Sequence, residues 1–269
     1  MKTNKKCEKL IQNIKGYGAV AVAFSGGVDS TLLLDLCIEA LGKENVLAVT
    51  VTNESFPKRE ISEAVELCKK FGVKQEIIEF SQLEIDGFAE NTRDRCYICK
   101  KKMFSLINAE AQKSGINTVL EGSNLDDTND YRPGMRAVSE LGVKSPFIEF
   151  ELTKDEIKRL SADRSLPTSS KPSFACLSTR IPYGEKITPQ KLRTIDLAEQ
   201  KLFDLGFSQV RVRCHGNLAR IELEKSEMLR AVELKDIICQ SLELCGFDYI
   251  SLDLAGYKTG SMNKNIDNY

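Results

Sequence analysis

The stretch GYGAVAVAFSGGVDSTLLLDLCIEALG, Gly16 to Gly42, decides the fold. Its apolar run reads as a buried strand through Phe24, the pair Gly26-Gly27 as a turn, and the segment from Ser30 onward as a helix that stops near Gly42. A strand that passes through glycines straight into a helix aims backbone N–H groups and the positive end of the helix dipole at one point. Ser25 to Ser30, SGGVDS, is therefore an anion cradle, with Ser25, Gly26, Gly27, Asp29 and Ser30 as cofactor-binding candidates. No G-x-x-x-x-G-K-[ST] is present, so the lysine of a Walker site is missing and γ-phosphate transfer is not the indicated chemistry.

Outward from this loop the pattern repeats. NVLAVTVT (45 to 52) is a second buried strand, a charged amphipathic helix spans about Pro57 to Phe71, and KQEIIEF is a third strand. A helix from roughly Lys100 to Ser114 leads to INTVLEGSN, a strand that runs into a polar turn. Alternating strands and helices predict an α/β fold with a doubly wound parallel sheet. Sites in such sheets lie beyond the carboxyl ends of the strands, where SGGVDS and EGSNLDD (Glu121 to Asp127) both fall. Gly122 and Asp126 or Asp127 thus join the candidate site. Their plainer reading is a first-turn helix charge for Asp29 and a turn-forming pair for Asp126 and Asp127.

Thr153, with Glu156 three residues on, predicts a capping box opening a further helix. From Ser170 to Thr188 the periodicity is lost. Beyond it TPQKLRTIDLAEQKLFDLG reads as a helix, SQVRVRCHG and LARIELE as paired strands, EMLRAVELKDIICQSLELCG as a helix and FDYISLDLAGY as a strand. The expected organisation is a nucleotide-binding domain over residues 1–170, a loop over 171–187 carrying Cys176, and a smaller C-terminal α+β domain over 188–269. The tail after Ser261 is polar and is expected to fray.

The 269 residues hold 38 Lys and Arg against 39 Asp and Glu, a net charge of −1, which disfavours general coating of nucleic acid. No apolar run approaches the roughly 18 residues of a membrane span, so the chain reads as cytoplasmic, without membrane or nucleic-acid partners. Nine cysteines, an odd number, argue for free thiols rather than a disulfide framework. A homo-oligomer is compatible with the sequence.

Three of those thiols stand apart. Cys96 and Cys99 form the C-x-x-C of DRCYICKK (Asp94 to Lys101), at the entry to a basic helix. Cys176 lies in the irregular loop with Lys171, Ser178, Thr179 and Arg180 around it, and nearby positive charge favours a thiolate. The single histidine, His215, is in a different strand and there is no second C-x-x-C, so a four-ligand zinc site lacks its partners. Three cysteines without a fourth suit an iron–sulfur cluster with one iron left open; a redox dithiol and a purely structural pair are the other readings. Cys7, Cys37, Cys68, Cys214, Cys239 and Cys245 have no ligand-like spacing and read as small neutral residues. Arg211 and Arg213 alternate along a strand and so share a face, which suits a phosphate or carboxylate, or else a solvated surface. Arg180, near Cys176, is a similar candidate.

SGGVDS resembles the pyrophosphate loop of the PP-loop ATPases, which implies cleavage of ATP between the α and β phosphates, with Asp29 and Asp126 or Asp127 as groups that position magnesium or pyrophosphate. Taken with DRCYICKKKMF, EGSNLDD, YRPGMRAVSELGVKSPF, SFACLSTRIPYGEKIT and VRVRCHGNLARIEL, the chain is similar over nearly its whole length to the LarE family of ATP-dependent sulfur transferases. That resemblance implies ATP and Mg2+ as cofactors and a small-molecule partner, pyridinium-3,5-biscarboxylic acid mononucleotide. One of its carboxylates is adenylated, and sulfur displaces AMP on the way to a nickel-pincer nucleotide. Cys176 matches the family's sulfur-bearing cysteine. In one branch that cysteine is sacrificed; in another three cysteines, here Cys96, Cys99 and Cys176, hold a 4Fe-4S cluster whose open iron carries sulfide from a donor. Glu199 and Glu222 match acidic positions near the family's phosphate and metal site, although a surface position would serve equally. Thiolation of tRNA and a non-catalytic nucleotide- or cluster-binding regulator are the competing functions.

Overall fold

The computed structural model describes residues 2–129, 133–172 and 174–258. Tyr131 and Arg132 of the YRPGM segment, Ser173 and the tail after Ser261 lie outside them. The chain forms two compact units, Met1–Ile85 with Asp94–Phe174, and Asp86–Arg93 with Ala175–Tyr269.

The first unit contains strands β1 (Val20–Ala23), β2 (Val46–Thr52), β3 (Lys74–Glu79) and β4 (Val119–Leu120) in the spatial order β3-β2-β1-β4. All three pairings are parallel. Its helices are α1 (Lys2–Lys15), α2 (Val28–Leu41), α3 (Lys58–Phe71), α4 (Arg95–Lys113), α5 (Gly134–Glu140), α6 (Pro146–Glu149) and α7 (Lys154–Asp163). Strand side chains alternate between faces, and both faces here are covered. Val20, Val22, Val46 and Ala48 pack with Leu10 and Ile14 of α1, Leu33 and Leu36 of α2, Leu67 of α3 and Ile157 of α7. Ala21, Leu47, Val49 and Val51 pack on the other side with Phe104 and Ile107 of α4 and Val138 of α5. Each fully buried Val or Leu contributes about 1.5–3 kcal/mol, so this double burial dominates the stability of the unit.

The expected α/β sheet is therefore present. Helix α4 starts five residues earlier than the sequence predicts, so Cys96 and Cys99 lie within its first turns rather than before it. Helices α1, α5 and α6 were not anticipated. The Thr153 side chain accepts from the Glu156 N–H and the Glu156 carboxylate from the Thr153 N–H, the predicted capping box.

In the second unit, a 3-10 turn at Leu177–Arg180 precedes α8 (Pro189–Asp204), and β5 (Val210–His215) pairs antiparallel with β6 (Leu218–Leu223). Helices α9 (Met228–Glu233) and α10 (Lys235–Glu243) lead to β7 (Tyr249–Leu252), which joins β6 in parallel. Residues 86–93 belong to this unit: the Asn91 Nδ2 group donates to the Pro182 and Glu185 carbonyls at 2.7 and 2.9 Å.

Candidate active site

SGGVDS forms the predicted turn at the carboxyl end of β1. Gly26 has φ +69°, a left-handed conformation that a side chain would strain. A Cβ there would also meet the Ala64 Cβ at 3.1 Å, so α3 packs directly on the loop. Gly27 is the N-cap of α2 and has no capping side chain. The Ser25 and Ser30 hydroxyls lie 3.1 Å apart, and the Gly27 N–H reaches the Ser25 Oγ only at 3.4 Å. These first-turn donors are weakly committed within the protein, as an anion cradle needs.

The loop after β4 folds against this one. A Cβ on Gly122 would meet the Ser30 nitrogen at 3.1 Å and the Asp29 carbonyl carbon at 3.2 Å, so only glycine lets the two loops approach. The Asn124 Nδ2 group donates to Asp29 at 3.2 Å, and Lys154 forms an ion pair with the other Asp29 oxygen. Asp126 is exposed and accepts from the Lys154 N–H at 2.7 Å, while Asp127 accepts from the Asn124 N–H at 3.0 Å. The structure thus gathers Ser25, Gly26, Gly27, Asp29, Ser30, Gly122 and Asp126 at one edge of the sheet. Asn124 and Lys154 belong with them and were missed, because nothing in local spacing marks a contact between residues this far apart in the chain.

Lys171, read from sequence as part of the charge around Cys176, reaches the glycine loop. Its ammonium donates to the Gly26 carbonyl at 3.2 Å and pairs with Glu60 and Glu63 at 2.8 and 2.6 Å. Burial alone would lower its pKa, but the hydrogen bonds and charges of the two carboxylates outweigh burial and raise it.

Cys96 is half-buried and Cys99 buried on α4. The Gln82 amide donates to the Cys99 Sγ at 2.7 Å, the kind of N–H contact that a ligating sulfur accepts. Among the described residues no three His, Cys, Asp or Glu side chains stand together as a metal-holding group. Of the six other cysteines, Cys7, Cys37, Cys68 and Cys214 are buried, and burial pushes each thiol up, Cys68 to about 12.

In the second unit the backbone at Cys176 is held by Arg180. This fully buried side chain donates from Nη1 to the Ala175 and Cys176 carbonyls at 2.6 and 3.3 Å. Its Nε and Nη2 grip the Glu199 carboxylate at 2.8 and 3.0 Å. Burial would raise the pKa of Glu199, but the Arg180 charge and hydrogen bonds, then Arg211 and the Val212 N–H, hold it below the usual carboxylate range. Glu222 is equally buried and pairs with Arg213 at 2.7 Å and Arg220 at 3.3 Å. The surface positions allowed for both acids by sequence are therefore corrected, as is the solvated strand face allowed for the arginines. Arg211 and Arg213 are only 4% and 5% exposed. Arg213 also donates to the Thr179 carbonyl at 3.1 Å, and Arg211 lies 5.2 Å from the Tyr257 ring centre. Burial, then the Arg180 charge, pushes Arg211 down to about 10, which leaves it a cation at neutral pH. Burial and the Arg220 charge lower His215, which therefore stays neutral there.

A parallel sheet whose β1–α2 glycine loop meets a second polar loop after β4 defines a PP-loop nucleotide-binding α/β protein. Residues 2–117 match the NAD synthase family. The chain is 36% identical over 257 residues, 96% of itself and 93% of the relative, to pyridinium-3,5-bisthiocarboxylic acid mononucleotide synthase of Lactiplantibacillus plantarum. It is 37% identical over 262 residues to the uncharacterized protein slr1717 of Synechocystis sp., covering 96% and 97% of the two chains. It is also 30% identical over 258 residues to the uncharacterized protein MJ0830 of Methanocaldococcus jannaschii, covering 95% and 98%. The chain belongs to the LarE family of ATP-dependent sulfur transferases. Use of ATP with Mg2+ fits the fold family. Among the described residues no helix is long and apolar enough to cross a membrane.

Proposed function

We propose that this enzyme activates a carboxylate of pyridinium-3,5-biscarboxylic acid mononucleotide with ATP and replaces one of its oxygens by sulfur. The observation that carries the reading is the 36% identity, across nearly both full lengths, to a synthase named for the bisthiocarboxylic product. The carboxylate oxygen attacks the ATP α-phosphorus, pyrophosphate leaves, and an acyl-adenylate forms. Sulfide then attacks the acyl carbon and AMP leaves with the original oxygen, giving the thiocarboxylate.

Ser25, Gly26, Gly27 and Ser30 take the β and γ phosphates as pyrophosphate develops, and Asp29 and Asp126 are the carboxylates available to magnesium. Arg211 and Arg213 take the phosphate of the mononucleotide, and Arg180 acts by holding the carbonyls at Cys176. Glu199 and Glu222, both 0% exposed, anchor Arg180 and Arg213 and act through these guanidiniums rather than as metal ligands. Cys96, Cys99 and Cys176 are the thiols proposed to hold a 4Fe-4S cluster. Such a cluster with one iron free supplies a site for hydrosulfide from an external donor. The support for it is the presence of all three cysteines and the amide donor on Cys99.

The competing reading is sacrifice of the Cys176 sulfur. The test is anaerobic reconstitution with iron and sulfide, followed by absorption spectroscopy, pyrophosphate release with the biscarboxylate, and the mass of the protein after turnover. A coloured protein of unchanged mass that makes several thiocarboxylates per chain supports the cluster. A colourless protein that loses one hydrogen sulfide at Cys176 overturns it. Sulfur delivered to tRNA and not to the mononucleotide overturns the acceptor.

A further inference from the structure

The contact between Lys171 and Gly26 has no part in the phosphate chemistry above, yet it bears on the loop that performs it. A trans peptide points its C=O and N–H in opposite directions. With the Gly26 carbonyl turned to Lys171 at 3.2 Å, the Gly27 N–H points the opposite way, toward Ser25 Oγ, to which its bond is long at 3.4 Å. A peptide flanked by two glycines has little steric reason to keep that orientation, because either residue can adopt φ of both signs. Gly26 already holds φ +69°. Something outside the loop must set it.

We propose that Lys171 is a positioning residue for ATP: its ammonium locks the Gly26–Gly27 peptide with the N–H facing the phosphates and offsets one of the two negative charges of Glu60 and Glu63. Glu60 and Lys171 are mostly buried, with side chains 13% and 15% exposed, so their pair is not a loose surface one, whereas Glu63 is 54% exposed. Without the lysine, two carboxylates at the amino end of α3 would face the loop uncompensated, and α3 touches the loop at Ala64. Both consequences act on the phosphates and neither acts on the nucleoside.

This inference rests on the ATP reading, and a comparison of two ligands separates the two. ATP with Mg2+ and adenosine are titrated into wild type and Lys171→Met, with the melting temperature recorded for each. ATP is expected to bind the variant about tenfold more weakly, adenosine equally, as loss of a partly buried charged contact at the phosphates implies. Lys171→Gln, neutral and too short to span the same contacts, takes the same comparison if K171M does not fold. Equal weakening of both ligands would reduce Lys171 to a general structural role and overturn the proposal, as would unchanged ATP binding. Failure of wild type to bind ATP would instead sink the ATP reading itself.

Discussion

The guanidinium of Arg180 and the carboxylate of Glu199 form a two-point ion pair, at 2.8 and 3.0 Å, between side chains that are both 0% exposed. The same arginine holds the carbonyls of Ala175 and Cys176, so the pair fixes the backbone from which the Cys176 side chain projects. Removing one member leaves the other charged and buried without its partner. Glu199→Gln is expected to cost about 3–5 kcal/mol of stability at pH 7, measured by urea denaturation.

The same pair sets an acid limit. Glu199 has a folded pKa below its ordinary value of 4.5, so its contribution is complete above about pH 4.5 and is lost as pH falls toward the folded pKa. Denaturation midpoints measured from pH 7 down to pH 3 should fall more steeply for wild type than for E199Q. Parallel curves would show that Glu199 carries no such linkage.

Gly122 is the point of contact between the two loops. An added Cβ would press on backbone atoms of Asp29 and Ser30, which cannot move aside without shifting the first turn of α2. Gly122→Ala should destabilise by about 1–3 kcal/mol and weaken ATP with Mg2+ by at least about tenfold. Isothermal titration reads the second effect, and an unchanged ATP affinity would separate this loop from the nucleotide site.

Cys96 is half-buried on α4, so Cys96→Ser should leave the melting temperature within about 2 °C of wild type. If three thiols anchor a reusable sulfide carrier, the variant should make no more than one thiocarboxylate per chain while still releasing pyrophosphate. Multiple turnovers by C96S would remove Cys96 from the anchor.

The capping box is a local control for these long-range effects. Thr153→Ala removes the acceptor for the Glu156 N–H and should cost about 1 kcal/mol, a shift of roughly 2–4 °C. Thr153→Ser should keep most of it. Scanning calorimetry distinguishes the two.

What the sequence determined by itself was whatever depends on neighbours along the chain. The strand through Phe24, the SGGVDS turn and the helix after it, the buried strand at 45 to 52 and the Thr153 capping box were legible because strand alternation, helical period and glycine turns are local properties. That locality also limits them: α4 begins before the point that apolar spacing marks, and the C-x-x-C moves inside it. Tertiary structure alone decided that Lys171 grips Gly26 and that Lys154 neutralises Asp29, contacts 145 and 125 residues apart. It also removed the surface alternative for Arg211, Arg213, Glu199 and Glu222, which form a buried network of charges. Alternation places Arg211 and Arg213 on one face of a strand, but what covers that face comes from other elements. Burying an ion requires a partner of opposite charge close by, and only the folded chain brings those partners together.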